Sequence, residues 1–267
     1  MTSLPLRRLL PHQPCAYKLA LAMAPLFGAF SVHGATMEPV SQSRSVQMLG
    51  DLNAFNYETQ ESSWADFNDG AQSLPDGWDP LRLGMDISIP DGNCFGQGMA
   101  SQTLVAGTKS IEFTGLADVN VAGIESFPYQ LEGSGSAYVD IEYSFRIDAA
   151  QSVVLAMDSS IGNFREDDFI FAFKSASGDY IWADTAVVNE RGDVERSFSR
   201  QFLLQPGQYT LSAHLTAFSA MSAATSFSGR TWAQFSVSAV PEPATAWMVL
   251  AGGGVFWAAR KRRPTLA

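Results

Sequence analysis

The feature that most constrains the fold is an unbroken alternation of apolar and polar side chains over residues 137–148, AYVDIEYSFRID. A period of two places one set of side chains on each face of a β-strand, whereas an amphipathic helix needs a period near 3.6. No helix fits these twelve positions. The stretch therefore predicts a strand with one buried and one solvated face.

Further segments with apolar alternation or short apolar runs follow along the chain. Residues 168–174 are apolar on both faces and predict a central strand, with residues 180–183 as its neighbour. Residues 198–204 and 209–217 predict a hairpin, because Pro and Gly between them suit the second and third positions of a tight turn. The remaining predicted strands are residues 153–157 and 232–239.

The spacing of these strands predicts the fold class. They recur about every 10 residues and are joined by Gly, Pro, Asp and Ser, as in an antiparallel β-sandwich or jelly roll. The 22 Gly and 13 Pro residues agree with many turns. Residues 36–110 are less regular, and we expect them to form loops and edge strands of the same domain. The prediction is an all-β ectodomain.

The distribution of charge along the chain argues against one class of partner. All 27 acidic residues lie between Glu38 and Glu242, whereas only 10 of the 17 Lys and Arg residues do. The formal charge of this body is therefore −17, although that of the whole chain is −10. Affinity for nucleic acid comes mainly from Lys and Arg that displace counterions, so we expect no nucleic acid as a partner.

The N-terminus has the layout of a secretory signal peptide. Arg7, Arg8 and Lys18 precede an apolar stretch over residues 19–32, and small residues follow before the chain turns polar. Residues 1–35 therefore predict a signal peptide that directs the chain to the secretion translocon.

The C-terminus predicts a short transmembrane helix. Residues 244–259 contain no charge, and at about 1.5 Å per residue they cover about 24 Å of a hydrocarbon core of roughly 30 Å. A basic cluster follows at once and is expected to stay in the cytoplasm, which leaves residues 36–239 as an exported domain. The cluster consists of Arg260, Lys261, Arg262 and Arg263.

Together, Pro241, Glu242 and Pro243, a short apolar segment and a terminal basic cluster resemble the tripartite PEP-CTERM sorting signal of exported bacterial proteins. The resemblance covers residues 240–267. It implies recognition of the Pro-Glu-Pro element by an exosortase, a membrane-embedded processing enzyme of Gram-negative bacteria that make extracellular polysaccharide. It also implies transient anchoring in the inner membrane, then transfer to the outer surface or release. Residues 206–211, PGQYTL, resemble the end of β-sandwich ectodomains that precede such signals.

Catalytic patterns are weak in the exported domain. Cys94 is its only cysteine and His214 its only histidine, so neither an intramolecular disulfide nor a histidine-cluster zinc site can form. Residues 92–96 match a nucleophile elbow with Cys for Ser, but no helical pattern follows. A Ser-His-Asp triad lacks the Gly-x-Ser-x-Gly motif, and carboxylate pairs are too many to assign. We expect no enzyme, with a polysaccharide-degrading enzyme as an alternative.

Acidic segments offer a candidate metal site, although we expect no other cofactor. The run Glu166, Asp167 and Asp168 and the segment 66–70 carry the hard oxygen ligands that calcium prefers. Neither completes an EF-hand loop. A structural Ca²⁺ and a simple solvated acidic turn both remain open for these segments.

Aromatic residues offer a candidate carbohydrate site. Trp64, Trp78 and Trp182 could form a platform on which a sugar ring stacks, and Tyr180 lies two residues before Trp182 on one predicted strand face. The sequence as a whole predicts a non-catalytic surface or matrix protein associated with exopolysaccharide or biofilm. A carbohydrate-binding module that uses Tyr180 and Trp182 is the alternative.

Overall fold

The structure, a computed structural model, is all-β in the residues that it describes. These are residues 36–74, 77–90, 94–124, 127–162, 168–187, 194–222, 225–226 and 228–240. Strands are the only regular elements within these ranges, and they form two antiparallel sheets. The predicted all-β sandwich is confirmed. No helix in the described part of the chain has the length and apolar character needed to cross a membrane.

The first sheet, called the front sheet below, has seven strands. Its order is β2-β1-β6-β11-β8-β9, and the short β12 pairs with the end of β11. The strands are β1 (Met37–Asn56), β2 (Glu61–Gln72), β6 (Tyr129–Ile147), β8 (Asp168–Ser175), β9 (Tyr180–Val187), β11 (Gly207–Ser222) and β12 (Thr225–Ser226).

The second sheet, called the back sheet, has six strands in the order β10-β7-β13-β5-β4-β3. The segments 81–89, 94–106 and 110–123 pair in succession as an antiparallel meander of three of them. The strands are β3 (Leu81–Ile89), β4 (Cys94–Ala106), β5 (Ser110–Gly123), β7 (Gln151–Ile161), β10 (Val194–Leu204) and β13 (Ser228–Ala239).

A large aromatic-rich core fills most of the space between the sheets, and a smaller apolar cluster around Leu52 and Val121 lies beside it. Val139, Phe145 and Ile147, three apolar positions of the alternating stretch, are fully buried. Phe235 of the back sheet bridges the layers, since its ring centroid lies 5.0 Å from that of Phe171 on the front sheet. It also stacks on Phe113 at 4.8 Å. The alternation therefore marks the inner face correctly.

The predicted hairpin of residues 198–204 and 209–217 is wrong. Its first half lies in β10 at the edge of the back sheet, paired with β7, whereas its second half lies in β11 inside the front sheet. Residues 205–206 thus cross from one sheet to the other. A Pro-Gly turn signal shows that the chain reverses direction, but it does not show whether the next strand pairs with the previous one.

The prediction for residues 36–110 is also corrected. Strands β2 and β3 do lie at sheet edges, but β1 is a 20-residue strand inside the front sheet, between β2 and β6. Residues 66–70 belong to β2 and form no loop.

The predicted central strand of residues 168–174 lies in β8, which is second from the edge of the front sheet. Ile170 on its outer face is 43% exposed.

A buried arginine holds the connection between β2 and β3. Arg44 is only 2% exposed, and its Nη2 donates to the carbonyl oxygens of Gly77 at 2.5 Å and of Asp79 at 3.1 Å. Gln42 Nε2 donates to the same Gly77 carbonyl at 2.7 Å. Burial lowers the pKa of Arg44, and the nearby Asp79 charge opposes this shift. The crossover is therefore tied to β1 by side chains that the apolar pattern does not reveal.

The two ends of the sandwich differ in what they carry. The end called the terminal pole holds the turns at residues 107–109, 148–150 and 205–206, together with the first and last described residues, Thr36 and Val240. The opposite end, the far pole, holds the turn at residues 57–60 and the connection from β5 to β6. Phe127 in that connection is 80% exposed.

Candidate functional site

The outer face of the front sheet is a polar surface that the alternating strand pattern creates. It is formed by the polar halves of the alternating strands, for example Tyr138, Asp140 and Glu142 on β6. On β11 the corresponding face carries Ser212 and His214. No described strand packs over this face.

Trp64 is the most unusual side chain on this face. It is 81% exposed, although a tryptophan ring gains more than most side chains from burial. Cross-strand pairing sets Trp64 opposite Asn53 and sets Asp66 opposite Asp51. An open pocket of about 350 Å³ lies beside the ring. Its lining consists of Asp51, Leu52, Asn53, Ser62, Trp64, Ala65 and Asp66.

The pocket offers hydrogen-bonding groups beside a flat apolar surface. Asp51 accepts a hydrogen bond from Ser134 Oγ at 2.5 Å, which fixes one carboxylate oxygen. Asp66 stands directly opposite Asp51, and like charges in a cross-strand pair destabilise a sheet. A ligand that donates hydrogen bonds or carries positive charge would relieve this repulsion. The arrangement suits a sugar ring stacked on Trp64 with hydroxyl or amino groups toward the carboxylates.

His214 forms a second polar cluster on the same face. Its Nδ1 lies 2.5 Å from Asp140 Oδ1, and its Nε2 lies 2.9 Å from Thr216 Oγ1. The ring also stacks near Tyr138, with centroids 6.4 Å apart. His214 is partly exposed.

The Thr-His-Asp order of contacts matches that of a nucleophile, base and carboxylate. However, β11 pairs with β6 on one side of residue 214 and with β8 on the other. The backbone N–H groups around residue 214 are therefore engaged in hydrogen bonds of the sheet, whereas an oxyanion hole would need them for the substrate. The cluster is a cross-strand polar pair whose packing stabilises the sheet.

Another pocket, of about 320 Å³, opens near the terminal pole. Beside it, the Lys174 ammonium lies 4.6 Å from the centre of the Tyr180 ring, which is 64% exposed. The cation partly covers the face that a sugar would use. The pocket is lined by Glu142, Lys174, Ser175, Ala176, Gly178, Gln208, Thr210 and Ser212.

Tyr180 and Trp182 do not share a strand face, contrary to expectation. A register shift between Phe173 and Lys174 pairs Tyr180 with Lys174 on the outer face and Trp182 with Phe173, which is fully buried. The bulge leaves one extra residue between Tyr180 and Trp182, so the two aromatic rings lie on opposite faces of the sheet. The predicted two-ring platform is therefore absent from β9.

Trp182 is instead an edge-of-core residue. Its ring packs 5.1 Å from that of Phe198, and the Arg200 guanidinium carbon lies 4.1 Å from its centre. Trp78 also contacts the core, with its ring 6.1 Å from that of Tyr143. Of the three tryptophans proposed as a platform, Trp64 presents the most open ring.

The calcium candidates gain no support from the described residues. Glu166 and Asp167 lie outside the described residues, and Asp168 begins β8. Residues 66–70 run along a strand, where successive side chains point to opposite faces instead of around one ion. Within the described ranges, no group of three acidic, His or Cys side chains is arranged to hold a metal. A calcium site near residues 166–168 stays a prediction.

Cys94 occupies a buried position at the start of β4. It is 2% exposed, and burial raises the pKa of its thiol, so the reactive thiolate is disfavoured. The chain continues from Cys94 through Gly96 as an extended strand. A nucleophile elbow needs a sharp turn into a helix, so the described geometry does not fit one.

The last described strand leads directly into the C-terminal segment, where the decisive comparison lies. Residues 239–263 match the family model described as the PEP-CTERM protein-sorting motif. The chain carries a PEP-CTERM sorting motif. The resemblance inferred from the Pro-Glu-Pro element is confirmed, and the motif implies an exported protein that an exosortase processes at the membrane. The motif residues themselves, Pro241, Glu242, Pro243, Arg260, Lys261, Arg262 and Arg263, lie outside the described residues.

Solved structures share only a loose likeness with this chain. A structure titled "CBM4 structure and function" is 9% identical over 47% of this chain and 72% of its own, with a TM-score of 0.24. The VP2 subviral particle of infectious bursal disease virus is 13% identical over 79% of this chain and 59% of its own, with a TM-score of 0.25.

Tailspike protein 4 of bacteriophage CBA120 is 9% identical over 62% of this chain, with a TM-score of 0.25. The match spans 20% of the tailspike chain. Likenesses of this strength carry no functional argument. No curated protein sequence matches the chain significantly.

Proposed function

We propose that the exported sandwich is a non-catalytic binding protein of the cell surface or extracellular matrix that associates with extracellular polysaccharide, as in a biofilm. The observation that carries the proposal is Trp64, a ring that is 81% exposed beside a pocket of polar side chains. The sorting motif supports an extracellular setting, because it implies export and exosortase processing.

The chemistry of the pocket favours a particular class of polymer. Stacking on Trp64 requires a flat apolar face, which sugar rings present between their hydroxyl groups. Asp51 and Asp66 accept hydrogen bonds but donate none while ionised. The acidic body also repels polyanions. The proposed ligand is therefore a neutral or amino-sugar polysaccharide, and an acidic one is disfavoured.

Binding without turnover distinguishes this proposal from the enzymatic alternative. No described strand covers the outer face, and its pocket is open to solvent. Such a surface can hold a long polymer at several points, but it does not exclude water from a reacting bond. We therefore expect no release of reducing ends when the exported protein is incubated with the polymer that it binds.

Co-sedimentation of the exported, processed protein with the extracellular polysaccharide of its host tests the proposal. We expect saturable binding that the Trp64→Ala variant loses by at least about tenfold, since the exposed ring contributes to binding and not to the core. Phe127→Ala is the matched control, because Phe127 is equally exposed but does not line the Trp64 pocket. Measurements with and without calcium also test the predicted ion.

Three outcomes would count against the proposal. Absence of binding by the wild-type protein would refute the association with polysaccharide. Equal loss in the Trp64→Ala and Phe127→Ala variants would refute the assignment of the site. Appearance of reducing ends would replace the binding role by the polysaccharide-degrading alternative.

A further inference from the structure

Both ends of the folded domain leave from the terminal pole. The backbone N–H of Met37, at the start of β1, donates to the carbonyl of Thr108 at 2.9 Å. The N–H of Ala239, at the end of β13, donates to the neighbouring carbonyl of Lys109 at 2.8 Å. One turn between β4 and β5 therefore fixes the first and the last strand of the sandwich.

The end of β13 is held firmly up to the sorting motif. This strand lies inside the back sheet and pairs with β5 on one side and β7 on the other. The hydrogen bond from Val240 N to Ser152 O, 2.9 Å long, extends this order one residue past the strand. Since the sorting motif begins at residue 239, no linker separates the folded domain from it.

The chain available between the sandwich and the uncharged segment is very short. Three residues, 241–243, separate Val240 from the segment that begins at residue 244. Even a fully extended chain bridges at most about 14 Å between residues 240 and 244. The headgroup layer on one side of a bilayer is itself roughly 5–7 Å thick. An anchored precursor therefore cannot lift its terminal pole far from the membrane.

We propose that, before exosortase processing, the terminal pole lies against the membrane surface and the far pole points away from it. The membrane is the partner of this surface, and chain length, not affinity, enforces the contact. The turns at residues 107–109, 148–150 and 205–206 are small or polar, and the charges of Lys109 and Asp148 balance, so these turns can approach headgroups without net repulsion. Trp64 and Phe127 then face outward while the protein is still anchored.

This orientation has a functional consequence. Trp64 pairs with Asn53 near the far-pole end of β1, away from the turns at the membrane. The proposed polysaccharide-binding surface is therefore accessible before cleavage, and processing releases the terminal pole without uncovering the Trp64 surface. The orientation itself depends only on the sorting motif and the strand ends, so it stands independently of polysaccharide binding.

Cysteine accessibility in cells whose outer membrane has been removed, so that the reagent reaches the outer side of the inner membrane, tests the orientation. Ala150→Cys places a thiol at the terminal pole and Glu58→Cys places one at the far pole, and both positions are exposed in the sandwich. Wild-type protein supplies the blank, because Cys94 is buried. The reagent is a membrane-impermeant maleimide on a bulky polyethylene glycol. The precursor is retained in cells that lack the exosortase, and the processed form is recovered from cells that have it.

In the precursor we expect position 150 to react at least about tenfold more slowly than position 58, because the short tether leaves little room for a bulky reagent. In the processed protein the two positions should react at similar rates. A flexible spacer of about 20 residues between Val240 and Pro241 should restore the reaction at position 150. Equal rates at both positions in the precursor, or no effect of the spacer, would overturn the proposal.

Discussion

The buried phenol of Tyr143 makes the stability of the sandwich depend on alkaline pH. Tyr143 is 1% exposed on the inner face of β6, and desolvation raises its pKa to about 12 from an ordinary value near 10. Between these two values the unfolded chain loses the phenolic proton while the folded chain keeps it. The stabilising contribution of the neutral phenol is thus fully present below about pH 10 and is lost as pH rises toward about 12.

The size of this loss follows from the shift. Two pKa units correspond to about 2.7 kcal/mol when the titration is complete, and about half of that, roughly 1.4 kcal/mol, is lost by about pH 11. Tyr143→Phe removes the ionisable group and keeps the ring that packs on Phe145 at 6.2 Å. All other side chains are identical in the two proteins, so their contributions cancel in the difference.

Urea unfolding of both proteins at about pH 8 and about pH 11, followed by circular dichroism, measures this difference. We expect the wild-type free energy of unfolding to fall by about 1.4 kcal/mol more than that of Tyr143→Phe over this interval. Parallel losses in the two proteins would refute the reasoning, because they would show that the phenol does not titrate differently in the folded and unfolded chain.

Three further predictions concern the core and the back sheet. Phe235→Ala should lower the free energy of unfolding by about 3–5 kcal/mol in urea titrations, since it removes the ring that bridges the two layers. Gly98→Ala should cost about 1–3 kcal/mol in the same assay, because an added Cβ would lie 2.7 Å from the Asp118 carbonyl oxygen, whereas Gly84→Ala on edge strand β3 should stay within about 0.5 kcal/mol. Cys94 should resist maleimide in the folded protein and react in denaturant, and rapid labelling of the native thiol would contradict its burial.

The alternation of apolar residues was sufficient to predict the fold class. Over residues 137–148 it separates the core side from the solvent side at nearly every position, because burial of one sheet face demands a period of two. Alternation and short apolar runs also located most of β8, β11 and β13 and about half of β7. In this protein, the local sequence is therefore enough to predict which segments form strands.

Strand partners were harder to predict, because pairing depends on contacts that are distant in sequence. The inner face of β1 is not recognisable from apolar alternation, because Gln42 and Arg44 occupy two of its buried positions. At these positions, side-chain hydrogen bonds to the β2–β3 connection replace apolar contacts. The connection at residues 205–206 joins two sheets although it carries a turn signature. Neither feature has a signal in the local pattern.

The candidate site was only partly predictable for a similar reason. The sequence offered Trp64 as a member of an aromatic platform, but its segment was expected to be a loop or an edge strand, so Asp66 was not placed on the same face. Asp51 and Asn53 become neighbours of Trp64 and Asp66 only through the register of β1 and β2. The proposed pair of Tyr180 and Trp182 failed because a single bulge changes which face a residue occupies.

The most direct test of the central claim is the indole N–H spectrum of the ¹⁵N-labelled exported protein during titration with oligosaccharides from the host polysaccharide. The account predicts that the Trp64 resonance shifts in a saturable manner, while those of Trp182 and Trp232, which lie elsewhere in the sandwich, stay in place. A polymer that binds without moving the Trp64 resonance, or that leaves every indole unchanged, would contradict the claim that this ring is the surface that holds extracellular polysaccharide.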